Sequence, residues 1–242
     1  MITLAGVIGS GKSSLTRILA DELHTTPFFE PVADNPVLPL FYKGNEQAAK
    51  ARANGNPNAS NPYTYLLQTF FINRRFAMIK KAIQGRNNIL DRSILEDEMF
   101  MKMNTDMGNA THLEFSVYEE LLHNMLAELD AMKPTNTHDL LIYIRVSYDT
   151  MIHRIEKRGR DYEQISTDPS LVEYYHTLLQ YYADWEKNYN RSAMMVIDGD
   201  QYDFVERPAD RNLLLEQIEQ QLVDLGTLSS QEFADLHQHR QI

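Results

Sequence analysis

The chain opens with a short apolar run that ends at a glycine. Met1-Ile-Thr-Leu-Ala5 is followed by Gly6-Val-Ile-Gly9-Ser10-Gly11-Lys12-Ser13-Ser14-Leu15. Residues 6 to 13 spell G-x-x-x-x-G-K-S, the pattern of a phosphate-binding loop. This pattern restricts the fold, because it works only between a buried strand and a helix. Both flanks are readable. The run before Gly6 suits a buried strand, and Ser14 to His24 suits a helix with Leu15, Ile18, Leu19 and Leu23 on one side. Glycines let successive backbone N–H groups close around a polyphosphate, where side chains at Gly6, Gly9 or Gly11 would block the approach. The helix N-terminus adds its unpaired N–H groups and positive dipole end. The loop through Ser10 and Ser14 is therefore expected to hold ATP. Lys12 would reach the terminal phosphates, and the Ser13 hydroxyl would ligate Mg²⁺.

Downstream, apolar runs alternate with helical patterns. Strands are expected at Pro27 to Val32, Asn88 to Asp91, Asp139 to Arg145 and Ala193 to Asp198. Helices are expected at Tyr63 to Gln84, Ser93 to Met103, Thr111 to Met132, Tyr148 to Lys157, Pro169 to Tyr189 and Asp210 to Leu225. A short helix fits Asn35 to Tyr42. With the opening strand this makes an α/β fold with a five-strand parallel sheet covered by helices on both faces. The Asn-, Gly- and Ala-rich stretch from Lys43 to Pro62 reads as a surface insertion, with a helical turn at most through Glu46 to Arg52. One domain is expected over 1–225, with a tail over 226–242 that has room for one short helix.

Charge narrows the partners. Against 34 Asp and Glu stand only 23 Lys and Arg, a net −11, which disfavours nucleic acid and anionic membranes as the main partner. The absence of cysteine removes disulfides and thiolate sites. Neither a leader pattern nor a membrane-length apolar run is found, and a cytoplasmic location is expected.

Three further places carry chemistry. Asp91 directly follows a buried strand, where phosphate-loop proteins keep a second Mg²⁺-handling carboxylate; its bland role is a helix N-cap. Arg92 beside it could serve the reacting hydroxyl. Glu30 ends the second strand on the same sheet edge as the loop, where a carboxylate can accept a hydroxyl proton. Arg154 and Arg158 lie four apart on one helix face, with Gly159-Arg160 breaking the helix. That suits an Arg-bearing lid closing on a transferring phosphoryl group. The aromatic series from Tyr174 to Tyr189 reads as core or subunit contact.

Taken with GVIGSGKSS, FFEPV, LLQTFFINRR, DRSILEDEMF and RIEKRGRDYE in this order, the chain resembles the deoxynucleoside kinase family, and within it the bacterial deoxyadenosine/deoxyguanosine kinase branch. The resemblance implies a P-loop kinase fold with an Arg-rich lid. It also implies ATP-dependent phosphorylation of a deoxynucleoside 5′-hydroxyl, deoxyadenosine before deoxyguanosine. It makes Glu30 the general base, Arg92 the holder of hydroxyl and moving phosphate, and Asp91 a Mg²⁺ ligand. Gln68 would contact the base, and Arg75 with Asp97 would disfavour thymidine. Tyr42 and Glu163 would read the 3′-hydroxyl, while Arg154, Arg158 and Arg160 would form the lid. The resemblance also implies a dimer, since family members are usually dimers: a homodimer is expected, with a heterodimer of related subunits as the variant. The rival readings are a nucleoside monophosphate kinase of the thymidylate kinase type and a non-catalytic nucleotide-binding regulator. A guanine-nucleotide switch is disfavoured, since neither Asn-Lys-x-Asp nor Asp-x-x-Gly is found.

Overall fold

The computed structural model describes residues 1–30, 35–132 and 139–240. Five strands form one sheet: β1 (Ile2–Ala5), β2 (Pro27–Phe28), β3 (Ile89–Asp91), β4 (Leu140–Arg145) and β5 (Ala193–Asp198). Their order is β2-β3-β1-β4-β5, every pair parallel. The central strands β1, β3 and β4 are apolar and buried along nearly their whole length, as a sheet covered on both faces requires. The helices are α1 (Lys12–Glu22), α2 (Leu38–Ala53), α3 (Thr64–Ala82), α4 (Ile94–Asp106), α5 (His112–Met132), α6 (Tyr148–Arg158), α7 (Leu171–Asn188), α8 (Pro208–Asp224) and α9 (Ser230–Arg240). One core cluster joins β1 and β4 to α1, α7 and α8, and a second packs α3, α4 and α5 together.

The predicted alternation is present, with three corrections. The edge strand β2 pairs only through Pro27 and Phe28, with Ile89 and Leu90; Pro27, which has no N–H to donate, takes the first position of an edge strand, where it is tolerated. Glu30 therefore stands beyond the strand rather than at its end, and positions 31 and 32 of the expected strand lie outside the described residues. Helix α1 starts at Lys12, inside the motif, with Gly11 at φ +103° as its N-cap.

The third correction concerns Lys43 to Pro62. No surface insertion begins at Lys43: α2 continues to Ala53. Gly44 and Ala48 are buried on it, and the segment is bolted down at both ends. Asn61, itself buried, donates from Nδ2 to Phe41 O at 2.8 Å and to Asn45 Oδ1 at 2.6 Å. Arg52 donates to Ala59 O at 2.7 Å, Gly108 O at 3.2 Å and Asn109 Oδ1 at 3.1 Å. The loop after α2 is thereby fixed to the turn between α4 and α5. The tail likewise forms a full helix, α9, whose Phe233 and Leu236 pack on the main core.

Candidate active site

All five strands point their C-terminal ends toward one cleft of about 860 Å³, the edge at which open α/β sheets bind ligands. The phosphate-loop pattern forms its floor. Gly6, Gly9 and Gly11 all have positive φ, and each lacks room for a side chain. A Cβ on Gly6 would meet Ile144 O at 2.6 Å, and one on Gly11 would meet the Phe204 ring at 2.8 Å. The Lys12 ammonium lies within the loop, donating to Gly6 O at 2.7 Å and Val7 O at 3.0 Å. Burial, helped by the nearby Arg92 charge, lowers its pKa to about 8. Ser14 lines the cleft. Ser10 does not: its side chain is fully buried beneath the loop and its N–H bonds Val7 O at 3.1 Å.

Asp91 ends β3 and Arg92 follows it. The helix cap is Ser93, not Asp91, since the Ser93 hydroxyl accepts from Leu95 N and Glu96 completes a capping box. Asp91 is thus free for other work. The Ser13 hydroxyl donates to Asp91 Oδ2, while Asp91 Oδ1 is buried with no hydrogen-bond partner among the described residues. Burial raises its pKa, against the pull of Lys12. A buried carboxylate oxygen without a partner, beside a hydroxyl on the phosphate loop, is the oxygen donor set that a hard divalent cation takes. These residues fit Mg²⁺.

Glu30 is clamped from two sides. Arg75 Nη2 donates to its Oε1 at 2.9 Å, and Arg92 Nε lies 2.8 Å from the same oxygen. Burial alone would raise the Glu30 pKa, but the Arg92 and Arg75 charges outweigh it and hold it at about 2. Arg75 is itself fully buried on α3. It also donates to Asp97, Nε to Oδ2 at 2.6 Å and Nη2 to Oδ1 at 3.1 Å, and through Nη1 to the Asp91 and Arg92 carbonyls, each at 3.5 Å. Asp97 nevertheless has its pKa raised to about 6, because its burial outweighs Arg75. Gln68, about two helical turns before Arg75 on α3, lines the cleft with Phe71 and Leu67.

Arg154 reaches back from α6 to Ser10 O at 2.9 Å and Gly199 O at 2.7 Å. Arg158 and Arg160 both pair with the buried Glu163 carboxylate, with Gly159 at φ +72° ending α6 between them. Tyr42 packs at a tilt against Tyr162, ring centroids 5.2 Å apart and planes 34° from parallel. Glu163 is among the charges acting on the Tyr42 hydroxyl, whose pKa burial raises. The single cleft therefore gathers Gly9, Gly11, Lys12, Ser13, Ser14, Glu30, Tyr42, Gln68, Asp91, Arg92, Asp97, Arg154, Arg158, Arg160 and Glu163. Gly6, Ser10 and Arg75 support it from behind.

A model of the deoxynucleoside kinase family matches residues 2–224 of this sequence. The chain belongs to the deoxynucleoside kinase family. Relatives include the deoxyguanosine kinase of Lactobacillus acidophilus, 52% identical over 94% of this chain and 93% of that protein. The deoxyadenosine kinase of the same organism is 47% identical over 94% and 99%. Among solved structures, deoxyadenosine kinase from M. mycoides with bound dATP superposes with a TM-score of 0.67 at 27% identity, covering 90% of this chain and 98% of that one. The parallel sheet and phosphate loop are thus those of a P-loop kinase fold, and this enzyme phosphorylates deoxynucleosides.

Arg92 also contacts side chains to which no sequence motif assigns a role. Arg92 packs over the Phe100 ring at 5.0 Å and donates to the Tyr182 hydroxyl at 2.8 Å. Glu96 is buried beside both. The capping-box spacing of Ser93 and Glu96 was the one sequence signal pointing there; Tyr182 lies 90 residues from Arg92 and left none.

Proposed function

We propose that this kinase transfers the γ-phosphoryl group of ATP–Mg²⁺ to the 5′-hydroxyl of a purine deoxynucleoside. The observation that carries this reading is the Glu30 carboxylate, held by Arg92 and Arg75 in the same cleft as the phosphate loop. A phosphate acceptor would be repelled by a carboxylate in that position, whereas a hydroxyl can donate to it. The purine preference is supported by the two relatives at about half identity, whose names are deoxyguanosine kinase and deoxyadenosine kinase. The Arg75–Asp97 pair and Gln68 furnish the polar groups for the base.

In this reading the free amides of the loop and Lys12 bind the polyphosphate, and Ser13 with Asp91 hold the metal. When bound, Mg²⁺ neutralises charge on the phosphate oxygens. Glu30 accepts a hydrogen bond from the 5′-hydroxyl and fixes its lone pair toward the phosphorus. The transition state is loose, so the proton leaves late and a strong base is unnecessary. Arg92 stabilises the moving phosphoryl group. As its charge turns toward that group, Glu30 loses part of its clamp and gains basicity for the proton. Arg154, Arg158 and Arg160 close over the phosphates and exclude water, while Tyr42 and Glu163 hold the 3′-hydroxyl. The products are ADP and the deoxynucleoside 5′-monophosphate. The reading extends to a cytoplasmic homodimer. No helix among the described residues is long and apolar enough to cross a membrane, and sedimentation of the purified protein tests the dimer.

The deciding experiment compares initial rates with ATP–Mg²⁺ on deoxyadenosine, deoxyguanosine, deoxycytidine, thymidine and dTMP. Fastest turnover of a purine deoxynucleoside is the expected result and ranks adenine against guanine. Preference for deoxycytidine or thymidine would refute the base assignment.

A further inference from the structure

Glu96 is fully buried on the first turn of α4, and its two oxygens accept four hydrogen bonds. Oε2 takes the Ser93 N–H at 2.7 Å, the helix-capping contact. Oε1 takes three others: Gly6 N–H at 3.1 Å, the Tyr182 hydroxyl at 2.5 Å and Arg92 Nη1 at 3.3 Å. These donors come from the start of the phosphate loop, from α7 and from the arginine after β3. The Tyr182 hydroxyl closes the circle by accepting from Arg92 Nη1 at 2.8 Å. A helix cap needs only the Ser93 contact, so the convergence on Oε1 calls for a separate account.

Arg92 supplies it. Its backbone sits at φ +90°, a region costly for a residue with a side chain and held only where surroundings over-determine it. Its N–H bonds Leu4 O on the neighbouring strand at 2.9 Å. Its guanidinium lies between Glu30 and Glu96, over Phe100. Glu30 sits beyond the short edge strand, whereas Glu96 is on a buried helix and also grips Gly6. Glu96 therefore sets the distance from the arginine to the loop that holds the phosphates.

We propose that Glu96 is a positioning residue for phosphoryl transfer, tying Arg92 to the phosphate loop so that the acceptor-side and donor-side charges keep one spacing. The inference rests on the reading of Arg92 as the group that meets the moving phosphoryl. Glutamine cannot replace it. With the amide oxygen toward Gly6, Tyr182 and Arg92, the amide N–H₂ faces the Ser93 N–H; turned over, it faces three donors.

The test is a double-mutant cycle in the full-length enzyme with wild type, Glu96→Gln, Arg92→Ala and the double variant, reading kcat, deoxynucleoside KM and ATP Kd. Glu96→Gln is expected to lower kcat by ~10- to 100-fold, the cost of a misplaced group, with ATP Kd changed by less than about 3-fold. In the Arg92→Ala background the same substitution is expected to change kcat by less than about 3-fold, because its effect acts through Arg92. Tyr182→Phe removes one hydroxyl from the circle and provides a second cycle with Arg92→Ala where Glu96→Gln fails to fold. A kcat loss of equal fold in both backgrounds marks a merely structural role and overturns the proposal, as does wild-type kcat in Glu96→Gln. Wild-type kcat in Arg92→Ala overturns instead the Arg92 reading beneath it.

Discussion

Nε of Arg92 lies 2.8 Å from Oε1 of Glu30, and the same oxygen accepts from Arg75. The proposed base of the reaction is thus an ion-paired carboxylate before substrate arrives. Its folded pKa is lowered from 4.5 to about 2, so its contribution to stability is present above pH 4.5 and lost as pH falls through about 2. Between about pH 5 and about pH 9 Glu30 stays ionised and contributes no limb to the kcat/KM profile. An acid limb near the ordinary carboxylate range that vanishes in Glu30→Gln would count against the clamp. Glu30→Ala is expected to lower kcat by ~10²- to 10⁴-fold while ATP still binds. Near-normal turnover in that variant removes Glu30 as the base.

Gly6→Ala combines two faults. The φ of +144° disfavours any L side chain, and the new Cβ would stand 2.6 Å from the Ile144 carbonyl, a backbone atom of the central sheet that cannot move aside. The expected outcome is loss of ATP binding together with destabilisation of about 1–3 kcal/mol or more. Calorimetric titration with ATP and urea unfolding read the two separately. An unchanged urea midpoint would mean that β1 and β4 are not as close as described.

Much of this arrangement is legible from the chain because it is local. The loop pattern needs its strand and helix within a few residues, and Asp91 ends β3 with Arg92 and Ser93 directly after it. Ser93 and Glu96 announce a helix start by spacing alone. Contacts across the fold left no such trace. Nothing near Glu96 in the sequence indicates Gly6 or Tyr182, each nearly 90 residues away. Arg75 and Asp97 could be paired only through resemblance to relatives. The misread stretch after Lys43 has the same cause. Gly44 and Asn45 are weak helix formers, and α2 persists through them because Asn61 holds it from outside and its own Arg52 ties it to the α4–α5 turn.

Gly44→Ala tests that explanation. On an exposed helix the change would stabilise by about 1 kcal/mol. Here the added Cβ would lie 2.1 Å from Asn61 Oδ1, the atom that accepts the Tyr63 N–H at the start of α3. Net destabilisation of about 1–3 kcal/mol is expected, read by urea unfolding. A stabilised variant would return this segment to a loosely held surface.

Arg240, the last residue of α9, joins three helices. It pairs with Glu219 of α8 and, through Nε at 3.0 Å, with Glu22 of α1. Glu219 is fully buried, and burial raises its pKa to about 7 despite the pull of Arg240. A raised acid pKa means that the folded state binds the proton more readily than the unfolded one. This group's contribution therefore declines as pH rises from its ordinary value through about 7. Arg240→Ala leaves the Glu219 charge uncompensated, and a loss on the order of 3 kcal/mol is expected near pH 8. The loss should be smaller near pH 6, where a proton neutralises the carboxyl. Glu22 closes the α1 helix that Lys12 opens, about 15 Å along its axis from the phosphate loop, so kcat below the unfolding transition should stay within about 2-fold of wild type. Urea unfolding at the two pH values and kcat at low temperature check both halves. A fall in kcat at unchanged stability would mean that α9 acts on the active site rather than on the stability of the fold.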